Sequence, residues 1–198
     1  MRTNLIVRAV AGFSVLLLVA ACGGSGKQPV SLSPSEIAVG KQLASKVIGA
    51  PLGYVDDTTA GAEGTVTPAV FDRLGGTSAA HSGFVGGFKQ NYVDNDTGEG
   101  IALTLLEFSS ASAAAAYFHA TAPSTLSYAA ATEKPFTGIP GAIAVDGTKP
   151  YGAEYAHGVV MVRAKVYASV VYVNAGAGPP PYELADWAKR QYGMLPAT

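Results

Sequence analysis

Three features of the 198-residue sequence predict a single α+β domain, an antiparallel sheet with packed helices. Apolar and β-branched runs recur at short spacing, separated by turns rich in Gly, Asn and Asp that are too short for crossover connections. Helical signals stand before, between and after those runs. The length fits one domain and suffices to bury a core without staples. A lone cysteine, Cys22, leaves no thiol pair for an internal disulfide or a CxxC metal site.

The first helix has the clearest local signals. Ser33 as N-cap, Pro34 at the first helical position and Glu36 three residues after the cap make a capping box. Ile37, Leu43, Ala44, Val47 and Ile48 recur at helical spacing, and Gly49 with Pro51 supplies a stop, so the spacing predicts a helix over Pro34–Ile48. Residues 54–74 are broken by glycine and threonine and are expected to be loop-rich, with a short helical turn opening at Thr67. Gly83–Val93 then alternates, placing Phe84, Gly86, Phe88, Gln90 and Tyr92 on one face. Ile101–Phe108 is a second strand run, and the Asp, Asn and Gly-rich segment between them predicts a hairpin.

Ser109 or Ser110 caps "SASAAAAYFHATA", an alanine-rich helix that Pro123 ends. Residues 124–140 are expected to form a long connection. Strand runs follow at 142–145, 151–156, 159–166 and 168–174. "AGAGPPPYE" breaks the sheet, and Tyr182–Met194 is expected to close the chain as an amphipathic helix with Leu184, Ala185, Trp187, Ala188 and Tyr192 at helical spacing. Two blocks of strands followed by a helix suggest a weak internal duplication.

Met1–Arg8 carries two positive charges and no acid, and Ala9–Ala21 is a 13-residue apolar core. A membrane-spanning helix needs roughly 20 apolar residues, so the segment has the length of a signal-peptide core. The stretch that ends it, Leu18-Val19-Ala20-Ala21-Cys22, resembles the lipobox of bacterial lipoproteins. That resemblance implies cleavage between Ala21 and Cys22, a thioether from Cys22 to diacylglycerol, and often a further acyl chain such as palmitate on the new amino group. Two or more chains anchor a protein stably where one does not.

The expected organisation is a lipoprotein signal peptide over 1–21, the lipidated cysteine and a flexible tether over 22–33, and an extracytoplasmic domain over 34–198. The Gly, Ser and Pro content after Cys22 makes that tether flexible, and its 11 residues from Gly23 to Ser33 reach at most about 40 Å. "LTLLEFSSASAAAAYF", "IPGAIAVDG" and "YELADWAKRQYGML" together are similar in layout to uncharacterised lipoproteins of high-GC Gram-positive bacteria. The resemblance implies a location at the outer face of the cell membrane, and it carries over no catalytic or binding residue.

Charge and motifs narrow the chemistry. Removing Arg2 and Arg8 from 13 basic groups leaves 11 against 14 acidic ones, a balance that points away from nucleic acid. "DNDTGEG" opens like a calcium loop, but counted from Asp94 its sixth and twelfth positions are Glu99 and Leu105, where an EF-hand needs glycine and a bidentate glutamate. It reads as an acidic turn. His81, His119 and His157 are evenly spaced, yet they lack the close spacing that puts two metal ligands on one helical face, and no metal or cofactor is expected.

No GxSxG elbow is present. His81 near Ser78 and Ser82 is the one alternative, a hydrolase of unfamiliar type. Tyrosines crowd the last third, where Tyr151, Tyr155, Tyr167, Tyr172 and Trp187 suit either a wet binding groove or the rim of a core. The expected function is a membrane-anchored, non-enzymatic binding domain for an envelope lipid, glycan or protein.

Overall fold

Ser33 opens the first helix through the capping box its sequence encodes. Its hydroxyl accepts the Glu36 backbone N–H while Glu36 reaches back to the Ser33 N–H at 2.7 Å. In the computed structural model the described residues are 32–57, 64–73, 82–122, 131–147, 155–174, 181 and 183–197. The signal segment, Cys22, most of the tether, Ser78, His81, Tyr151 and Tyr182 lie outside them.

In chain order the elements are α1 (Pro34–Ala44), β1 (Tyr54–Asp56), β2 (Gly64–Val66), α2 (Pro68–Arg73), β3 (Phe84–Asp94), β4 (Gly100–Phe108) and α3 (Ala111–Thr121). They continue with β5 (Ala131–Pro135), β6 (Ile143–Gly147), β7 (Tyr155–Arg163), β8 (Val166–Asn174) and α4 (Glu183–Met194). The strands form one antiparallel eight-stranded sheet in the order β1-β3-β4-β8-β7-β6-β5, with β2 pairing β3 beside β1. The predicted α+β class is observed, with helices on both faces.

On one face, α1 packs on β2 and β3 while α4 packs on β7 and β8. Leu43, Ile48, Leu103, Leu105, Met161, Val170, Leu184, Trp187 and Ala188 make its core. On the other face α2 lies against β3, and α3 crosses β4, β8 and β7, enclosing Val66, Phe71, Leu106, Phe108, Tyr117, Phe118 and Val160. The two strand pairs of the suggested duplication, β3–β4 and β7–β8, lie side by side in the sheet with their following helices, α3 and α4, on opposite faces.

Four expectations are corrected. The alternation from Phe84 to Tyr92 does not stay on one face: the register shifts between Phe84 and Gly86, so Val85 is an extra residue in a β-bulge. Phe84 therefore turns to the α2/α3 face and stacks on Phe71 at 4.2 Å, while Phe88 and Tyr92 pack on the α1/α4 face. Residues 155–156 and 159–163, expected in separate runs, belong to one strand, since Gly158 pairs with both Val145 and Val171 and β7 passes straight through it to Arg163, with Val166 already in β8; residues 151–154 lie outside the described residues.

The loop-rich segment 54–74 contains the short strands β1 and β2, each satisfied by β3 alone. The long connection 124–140 contains β5, an exposed edge strand that carries Glu133, Lys134 and Pro135, residue types that discourage further pairing. The turn at Thr67 is present as α2, with the Thr67 hydroxyl accepting the Val70 N–H at 3.1 Å.

Close approach seats α1 on the sheet. At Gly40 a Cβ would collide with Thr65 of β2, and at Gly86 it would lie 2.7 Å from the Val39 side chain. The turn after α1 is held from two sides. Tyr92 of β3 donates its hydroxyl to the Ile48 carbonyl at 2.7 Å, and Gln191 of α4 accepts the Ile48 N–H at 3.1 Å while donating to the Lys46 carbonyl at 2.8 Å.

Gln191 is fully buried, so this clamp ties the two helices of one face together across 143 residues of chain. Gln191→Leu leaves that buried N–H and carbonyl unpaired. It is expected to lower the free energy of unfolding by about 1–3 kcal/mol. Chemical denaturation checks this, and an unchanged midpoint would remove the clamp from the account.

Candidate functional site

The β3–β4 turn positions the first polar group of the α1/α4 face. Asp94 Oδ1 accepts the backbone N–H groups of Asp96 at 2.8 Å and Thr97 at 3.2 Å, an Asx turn that aims Glu99 back along the sheet. The segment that resembles a calcium loop is thus organised by its own hydrogen bonds.

Glu99 meets two phenols there. The Tyr54 hydroxyl donates to Glu99 Oε2 at 3.4 Å, and Glu99 and Asn174 both act on the Tyr172 hydroxyl. Trp187 from α4 covers them, edge-on to Tyr54 at 5.8 Å and tilted against Tyr172 at 6.4 Å between ring centroids. Asn174 Oδ1, buried at the end of β8, has no hydrogen-bond partner among the described residues.

The polar line continues across the sheet in register. Tyr172 stands opposite His157, and His157 opposite Asp146. The His157 Nδ1 lies 3.1 Å from Asp146 Oδ1, and Lys134 Nζ lies 2.7 Å from Asp146 Oδ2. Burial alone would push the Asp146 carboxyl up, but the hydrogen bonds from Lys134 and His157 outweigh it and hold the group below the usual carboxylate range.

The residues singled out in the sequence are divided by the sheet. Tyr172 and Trp187 come together on the α1/α4 face, and Tyr155 pairs in register with Asn174 at the start of β7. Tyr167 points to the other face, where it packs edge-on against Tyr117 at 5.1 Å inside the core. Tyr151 lies outside the described residues. Of the hydrolase candidates the structure describes Ser82, whose hydroxyl accepts the Phe84 backbone N–H at 3.2 Å.

His119 is exposed on α3 beside Phe118, far in kind from the buried His157. Among the described residues no group of three or more His, Cys, Asp or Glu is arranged to hold a metal, and no helix is long and apolar enough to cross a membrane. Sequence reasoning missed Tyr54 and Glu99, which are brought to Tyr172 by strand pairing, and Asn174, which lies two residues on in the same strand. The available signal was that Glu99 closes the predicted hairpin on the side where Tyr92 ends its strand.

No family model matches the chain, and no curated protein matches it. Among solved structures it is similar to the extracellular domain of PknH from Mycobacterium tuberculosis, at 13% sequence identity and a TM-score of 0.47, covering 85% of this chain and 98% of that one. A likeness this distant carries no statement about ligand or activity.

Two measurements test the site. Burial first, and the Glu99 carboxylate after it, raise the ionisation of Tyr54 and Tyr172 above the usual phenol range. Glu99→Gln removes the charge and keeps an acceptor, so both phenols are expected to ionise at lower pH than in the parent, still above an ordinary tyrosine. An alkaline titration of phenolate absorbance checks the direction.

For Asp146 the folded pKa is depressed, so its contribution is complete above the unfolded value of about 3.9 and is lost as the pH falls through the lower folded value. Asp146→Asn should therefore be less stable than the parent at pH 7, by up to about 1 kcal/mol because Lys134 is largely exposed. The difference should vanish in acid, as thermal melts across pH would measure.

Proposed function

We propose that this chain is a lipid-anchored extracytoplasmic binding domain without catalytic activity of its own. The observation that carries the reading is the Val19-Ala20-Ala21-Cys22 sequence at the end of a 13-residue apolar core, which supplies both a processing site and an attachment point. Lipidation of Cys22 would hold the domain at the outer face of the cell membrane, on a tether long enough to lift it clear of the headgroups. Binding is favoured over catalysis by what the domain presents. The half-buried Tyr54 ring and Glu99 carboxylate, at the margin of the core above the buried Tyr172 and Trp187, offer an aromatic face and a hydrogen-bond acceptor, the mixture that recognises ligands by shape and hydrogen bonding. The partner classes that suit this location are an envelope lipid, a glycan or another envelope protein.

Intact-mass measurement of the chain from a membrane fraction tests the anchor. The expected mass exceeds that of the polypeptide beginning at Cys22 by diacylglyceryl and acyl groups, and Cys22→Ala is expected to leave the membrane fraction or retain its leader. A membrane-free wild type with the mass of the unmodified polypeptide would overturn the anchor.

A further inference from the structure

The α2/α3 face contains a row of polar side chains that the cluster around Tyr172 does not use. Lys89 of β3 stands opposite Thr104 of β4, and Thr104 stands opposite Ser169 of β8. Directly opposed side chains on one face have Cβ atoms about 4.5–5.5 Å apart, so the ammonium and two hydroxyls form a contiguous line over the middle of the sheet. Lys89 and Ser169 are each 5% exposed. Among the described residues none of the three makes a hydrogen bond or ion pair, with one another or with any neighbour. Buried lysines are rare without a paired charge, because desolvating an ammonium is costly. Burial depresses the Lys89 ammonium below the usual lysine range, and no carboxylate opposes that shift.

The two faces of the central strands differ in cover. Toward α1 and α4, Leu103, Leu105, Ala168 and Val170 of β4 and β8 are fully sealed. Toward α2 and α3, the same strands leave Ala102, Thr104 and Val171 half-buried, although no position lies deeper in the sheet order. Ala102 and Val171 face each other in the row next to Thr104 and Ser169. This half-buried strip of the sheet therefore has a polar line with one cation and, beside it, small apolar side chains.

We infer that the Lys89–Thr104–Ser169 row is a ligand site for an oxyanion, a carboxylate or phosphate, carried on an apolar body that lies over Ala102 and Val171. The ammonium supplies a charge-assisted hydrogen bond and the hydroxyls supply two more donors. This deepens the binding reading given above and is independent of the anchor on Cys22, so either can fail while the other stands.

Calorimetric titration of the full chain in non-ionic detergent with octanoate, octyl phosphate and inorganic phosphate tests it. Octanoate or octyl phosphate is expected to bind. Lys89→Met should weaken that binding at least about tenfold, with Thr104→Val and Ser169→Ala producing smaller losses. Lys89→Met should also melt no lower than the parent, since it removes a largely desolvated ammonium that has no ion-pair partner among the described residues and keeps the stem, which separates lost binding from lost fold. Binding of neither octyl ligand, or equal binding by parent and Lys89→Met, would overturn the site. Binding of inorganic phosphate as tight as octyl phosphate would overturn its apolar half and assign the row to a free anion.

Discussion

The pairing of β4 with β8 is the constraint on which the rest of the domain depends. It joins the β3–β4 hairpin to the β7–β8 hairpin, elements separated by more of the chain than any other strand neighbours, and it sets the register Leu103 to Val170 and Thr104 to Ser169. Side chains alternate along a strand, so a slip of one residue would drive Thr104 and Ser169 into the core under α1 and α4 and expose Leu103 and Val170. The cost of withdrawing large aliphatic groups from that core excludes that register. The same pairing brings the end of β8 to the β3–β4 turn, which is how Tyr172 reaches Glu99.

The central strands therefore have two characters. Their α1/α4 face is sealed through most of its length by aliphatic packing and, at one end, by Trp187 over the Tyr54, Glu99 and Tyr172 contacts. Their α2/α3 face has an aromatic cluster at the Phe84 and Phe108 end, where Phe71 and Tyr117 close it, and a polar line beyond it. Polar groups occupy sheet positions that apolar ones could fill with less desolvation cost, which is the pattern expected where a fold gives up stability for recognition. Two short strands, β1 and β2, share the β3 edge, and β1 contributes Tyr54 to the cluster.

Local chemistry made much of the fold legible. The Ser33–Glu36 capping box, the Ser110 cap with its bond to the Ala113 N–H, and the Asx-stabilised turn between β3 and β4 each act within a few residues, and each was visible as a motif. Features without a local signature were missed. The β7–β8 turn places Ala164 at a φ of 50°, a conformation that usually announces itself by Gly or Asn, so the strand boundaries around it were misplaced. The extra residue at Val85 is equally silent, because a bulge is defined by its partner strand. β5 has no alternating apolar pattern, since it is an exposed edge paired on one side.

By itself the sequence determined the α+β class, the helix starts, the hairpin and the cysteine motif at Cys22, because capping, turn chemistry and hydrophobic period act over short stretches of chain. Only the tertiary structure decided which tyrosines meet. Tyr167 and Tyr172 lie in one strand an odd number of residues apart, so the sheet sends them to opposite faces, one into the core against Tyr117 and one into the core under Trp187. It also decided the standing of Lys89. A lysine in an alternating strand reads as a solvent-facing residue, and its burial beside Thr104 and Ser169 follows from strand pairings and helix cover that no stretch of sequence around it encodes.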